Sequence, residues 1–148
     1  MIDPLRALLP ACCPPPDGPP PMLLLASEPQ SVGQARAFVR EFIGYHSPGL
    51  PEAHVDAVVL VTSELVTNAY RYGTEPGDMI QLVLAAKTDR TRVEVHDPVR
   101  RVPRHRLASA ERDRGRGLVI PDALCPKSWG CGDRPLGKFV WAEIPWTD

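Results

Sequence analysis

Glu64 and Asn68 are the side chains whose types and spacing could do chemistry. They lie four residues apart in an apolar-periodic segment, and at about 100° per residue they project about 40° from one another on one flank of a helix. A carboxylate and an amide oxygen one turn apart can converge on a small hard object, such as a hydrated Mg2+ with its phosphates. The same two residues would equally make a polar flank facing water, and spacing alone leaves both readings open. Asp97 closes the alternating run Val93-Glu94-Val95-His96-Asp97, where a strand would deliver a carboxylate to the end of a sheet; with Pro98 next, it also suits an ordinary turn. Gly115-Arg116-Gly117-Leu118 precedes a candidate short helix, and its glycines would let backbone N–H groups approach a phosphate. Arg114 and Arg116 flank that pair and could touch phosphate or simply solvent.

These residues need elements to position them. Ser31 to Tyr45 carries Val32, Ala35, Phe38, Val39 and Phe42 at helical spacing, so it predicts an amphipathic helix. Pro48, Gly49 and Pro51 break the chain, and Pro51 suits the first position of a second helix that runs to Gly73 as its C-terminal cap. Its apolar stripe is Val55, Val58, Val59, Leu65, Val66, Ala69 and Tyr72, interrupted by Thr62. Met22 to Ala26 reads as a short strand. Met79 to Ala86 and Thr91 to His96 alternate about Thr88-Asp89-Arg90 as an antiparallel pair, residues 118–124 as a short helix, and residues 138–144 as a closing strand. This order predicts an α+β fold: a two-layer α/β sandwich with helices on one face of a mostly antiparallel mixed sheet.

Composition narrows the function classes. The chain has 148 residues with 17 basic and 18 acidic side chains, a balance that provides no global field to draw it onto nucleic acid or an anionic membrane. Its longest apolar stretches fall short of the roughly 20 residues of a membrane span. No basic region followed by an apolar one opens the sequence, so a cytoplasmic location is expected. Cys12, Cys13, Cys125 and Cys131 form no C-x-x-C motif and read as reduced thiols. Eight of the 18 prolines fall within the first 21 residues, which predicts a Pro-rich disordered leader over 1–21 and a folded domain over 22–148. The basic run Arg100, Arg101, Arg104, His105, Arg106, Arg112, Arg114 and Arg116 carries no interleaved aromatic for base stacking, which argues against nucleic-acid binding.

Taken together, Glu64-Leu-Val-Thr-Asn68-Ala69 resembles the N-box of the histidine-kinase and gyrase type (Bergerat) ATPases, and most closely the branch of anti-sigma-factor serine/threonine kinases. Asp97 stands at the G1 position of that family, Gly115-Arg116-Gly117-Leu118 resembles its G2 glycine pair, and residues 137–143 resemble its closing strand. The resemblance spans residues 22–145. It implies ATP and Mg2+ as ligands, with Asn68 holding the metal, Glu64 as general base, Asp97 accepting from the adenine amino group, and Arg114 to Leu118 about the phosphates. The basic run falls where the family has a mobile lid. The resemblance further implies protein partners, a sigma factor and an antagonist phosphorylated on serine, and dimers formed through the sheet side or the first helix.

Three positions depart from the family pattern. Val99 replaces a glycine near the nucleotide, Pro121 shortens the helix after the glycine pair, and Phe139 stands where threonine is usual, which is expected to remove a hydroxyl from the adenine edge. These favour an alternative in which the fold is a non-catalytic module that sequesters a partner. Gly132 to Phe139 nearly spells a P-loop, but Phe139 replaces the Ser or Thr that would hold Mg2+, so it is expected to be a hairpin turn.

Overall fold

The structure is a computed structural model that describes Gly18 and residues 20–98, 128–135 and 137–146. Strand β1 (Met22–Ala26) leads into helix α1 (Ser31–His46) and helix α2 (Glu52–Asn68), which continues as one π-helical turn (Ala69–Gly73). Strands β2 (Met79–Ala86), β3 (Arg90–Asp97), β4 (Trp129–Arg134) and β5 (Gly137–Pro145) follow. They form one sheet in the order β1-β2-β3-β5-β4, and every described pairing is antiparallel. This is the expected α+β sandwich, with both helices packed on one face of the sheet.

Local sequence sets each helix end. Ser31 Oγ donates to the Ala26 carbonyl at 2.7 Å, which ties the start of α1 to the end of β1. After α1, Gly49 takes a left-handed φ of 92° that a side chain would oppose, and the chain reverses into Leu50-Pro51. Pro51 has an extended ψ of 145° and so stands just outside α2, one position earlier than expected, with its carbonyl accepting from His54 and Val55. The second helix also does not run unbroken to Gly73. Its α-helical part ends at Asn68, and the last five residues widen into the π turn.

Alternation decides which strand residues face the helices. Ile80, Leu82 and Leu84 on β2, Val93 and Val95 on β3, and Val140, Ala142 and Ile144 on β5 are buried. They meet Ala35, Phe38, Val39 and Phe42 of α1 and Val58, Val61, Leu65 and Val66 of α2 in one apolar core. Val61 and His54 belong to the buried side of α2 although they lay outside the expected stripe, whereas Val55 and Tyr72 are only half-buried. The exposed ion pairs of Arg40 with Glu52 and Asp56 bridge the helices, but solvent screening leaves them little weight beside this core. Position 136 aside, Pro135 turns β4 into β5 with Arg134 opposite Gly137, so the P-loop-like segment is a hairpin as expected. Among the described residues no helix is long and apolar enough to cross a membrane.

Candidate functional site

Asn68 ends α2 with its side chain 95% buried, and its Oδ1 has no hydrogen-bond partner among the described residues. A buried amide oxygen without a donor costs on the order of 1–3 kcal/mol unless something else supplies the missing contact. One turn earlier Glu64 is half-buried rather than exposed. The water-facing flank that spacing left open therefore does not describe this pair. Thr62, the polar interruption of the stripe, is fully buried, and its hydroxyl likewise lacks a partner. An uncharged, buried oxygen acceptor beside a carboxylate is the donor chemistry that a hard cation such as Mg2+ takes, so these residues fit the metal that the sequence suggests.

The π turn completes this end of the molecule. It packs on β3 and brings Gly73 so close to Asp97 that a Cβ on Gly73 would lie 2.5 Å from the carboxyl carbon. Only glycine permits that approach. Thr74 Oγ1 lies 3.2 and 3.1 Å from the carbonyls of Ala69 and Tyr70, to which it donates, and 2.6 Å from Ser27 Oγ, so the turn is anchored to the end of β1. Widened helical turns of this kind recur at functional sites because they re-aim the residues that follow.

Asp97 sits at the last position of β3 and faces inward, on the same side of the sheet as Val93 and Val95. Its register partner is Lys138. The Lys138 ammonium donates to Asp97 Oδ1 at 2.9 Å and to Oδ2 at 2.8 Å, and both side chains are almost wholly buried. A Cβ at the neighbouring Gly137 would collide with the Asp97 carbonyl and would lie 2.7 Å from Pro98 Cα, so the two strands also meet closely along the backbone. Lys138 was missed in the sequence. The alternation Lys138-x-Val140-x-Ala142-x-Ile144 is the signal that puts it inward, opposite Asp97.

Contrary to the expectation from the sequence, Phe139 does not stand at the adenine edge. Its ring lies on the outer face of the sheet, stacked on His96 with centroids 5.0 Å apart. Successive strand residues point to opposite faces, so Phe139 cannot line the edge of a site that contains the Asp97 side chain. The β5 side chain that reaches Asp97 is Lys138. A cavity of about 210 Å³ lies at that end of the sheet, with Gln81, His96, Asp97, Pro98 and Arg134 among its lining residues, but neither Glu64 nor Asn68 reaches it.

Also on the outer face, Arg92 pairs with Glu94 and Glu143 and lies over the Trp141 ring. Burial pushes the Glu94 carboxyl up, but hydrogen bonds from Arg92 and His96 outweigh it and leave Glu94 below its ordinary value. Cys131 is a free, exposed thiol. Arg114, Gly115, Arg116, Gly117 and Leu118, the basic run over 100–116, the short helix, Val99, Pro121, Cys12, Cys13 and Cys125 lie outside the described residues.

A family model of the histidine kinase-like ATPase domain matches residues 25–127. The chain belongs to that family, whose membership implies ATP binding. The matched span holds Glu64, Asn68, Asp97 and the glycine pair, whereas β4 and β5, with Lys138, follow it. No curated protein matches the chain significantly.

Proposed function

We propose that the chain binds ATP with Mg2+ and transfers the γ-phosphoryl group to a serine of a partner regulator, as the anti-sigma-factor serine/threonine kinases that its N-box resembles do. The buried Asn68 Oδ1, without a partner among the described residues and one turn from Glu64, carries this reading. When bound, the metal would offset the repulsion among phosphate oxygens, and Asn68 would hold it through that oxygen. Glu64 would accept the proton of the attacking hydroxyl as its oxygen bonds to the γ-phosphorus and the bridging P–O bond to ADP breaks. The partners in this reading are a sigma factor and its antagonist, and the action on transcription runs through protein binding.

Calorimetry with ATP, with and without Mg2+, tests the binding step. Binding should require the metal, and Asn68→Ala should weaken it at least about tenfold, the worth of one contact to a charged group. Equal binding by the variant, or binding indifferent to Mg2+, refutes the assignment. A second reading, a module that sequesters its partner without phosphoryl transfer, is favoured by the Asp97–Lys138 pair, which engages the base-reading carboxylate from within. The two separate on ADP formation, which Glu64→Gln slows sharply in the kinase and which a sequestering module never shows.

A further inference from the structure

Lys138 is a buried charge that the proposed chemistry leaves unused. It faces Asp97 across β5 and β3 and donates to both carboxylate oxygens, at 2.9 and 2.8 Å, while Gly73 closes on the same carboxylate from the π turn. An incoming group therefore meets Asp97 as half of an ion pair. We propose that Lys138 sets nucleobase selectivity at this site and relaxes it, so that purine nucleoside triphosphates bearing either an amino group or a carbonyl at the six position are accepted. This deepens the nucleotide-site reading and rests on it, with the base edge at Asp97.

Selectivity at this carboxylate is electrostatic. A lone buried carboxylate attracts an amino donor and repels a carbonyl oxygen, and one hydrogen bond to a charged acceptor separates two ligands by roughly ten- to hundredfold. An ammonium held against both oxygens cancels much of that field at short range, so the amino group gains less and the carbonyl loses less. The pair is also hard to displace, because moving the ammonium away would leave two uncompensated charges in the interior. The base must then be read by a near-neutral couple.

Titration of the full chain with Mg-ATP and Mg-GTP by calorimetry reads the ratio of the two dissociation constants. In the wild type the ratio should lie within about tenfold. Lys138→Gln keeps an N–H donor for Asp97 and removes the charge, and it should raise the ratio at least about tenfold, with ATP bound more tightly and GTP more weakly. An unchanged ratio in a variant that still binds ATP overturns the role of Lys138 and leaves the nucleotide site standing. Absence of binding by either nucleotide to the wild type overturns both. A measurement on the wild type needs no variant to fold: the 15N resonance of the buried Lys138 ammonium should shift on saturation with ATP and by a comparable amount with GTP. A resonance indifferent to ATP at saturation overturns the proposal.

Discussion

Asn68 and Asp97 are both buried polar side chains, but their surroundings give them opposite roles. Among the described residues Asn68 Oδ1 lacks a donor, whereas both Asp97 oxygens are engaged by Lys138. Removing one member of a buried ion pair leaves the other uncompensated and costs about 3–5 kcal/mol, while removing both charges together costs much less. Lys138→Met should therefore lower the urea unfolding free energy by about that amount. The double variant Asp97→Asn with Lys138→Met should recover most of the loss, and equal losses in the single and double variants would contradict the pairing. Glu64 bears on turnover instead. Glu64→Gln should leave ATP affinity within about twofold and slow ADP formation by roughly 100- to 10,000-fold, the usual range for loss of a general base.

The π turn is the element that joins the N-box helix to β3. Its function depends on Gly73, since a methyl group there has no space above the Asp97 carboxylate. Gly73→Ala forces either the turn or Asp97 to move, and overpacking of this kind costs about 1–3 kcal/mol. Thermal unfolding should register that loss, and the Lys138 ammonium resonance should move with it. A variant as stable as the wild type would mean that the turn yields freely. By contrast Arg40, whose partners Glu52 and Asp56 are exposed, should be replaceable by alanine with no measurable change in the unfolding midpoint.

Across the whole molecule, His54 links the start of α2 to the sheet and to the chain beyond β5. Its Nε2 lies 2.9 Å from Thr91 Oγ1, which also accepts from Trp146 Nε1 at 3.1 Å, and its ring meets Trp146 edge-on. Burial lowers its pKa below the ordinary 6.5, and the hydrogen bond to the Pro145 backbone only partly offsets this. The unfolded chain therefore binds a proton at a higher pH than the folded one does. The resulting stability is fully present above pH 6.5 and is lost as pH falls through 6.5 toward the folded value. Glu94, held below its ordinary 4.5, loses its contribution only at more acid pH. Urea midpoints should thus fall as pH drops below 6.5 in the wild type, and His54→Gln should flatten that slope. A parallel slope in the variant would assign the loss elsewhere.

The strands β1, β2, β3 and β5 and both helices were legible in the sequence because burial imposes a period of 2 or 3.6 on residues such as Ile80, Leu82, Leu84 and Ala35, Phe38, Val39. Glu64, Asn68 and Asp97 stood out in the sequence as candidates because their order and spacing resemble a family pattern. What one dimension could not fix was the partner of each polar group. Lys138 lies 41 residues from Asp97, and only strand pairing sets it opposite. The widening of α2 into a π turn was equally hidden, since Ala69 to Gly73 continues the helical pattern and the turn is held by Thr74, Ser27 and the packing of Gly73 on β3. Local periodicity reports which face a residue takes; which charge meets it there is decided by long-range register, and that exists only in the folded sheet.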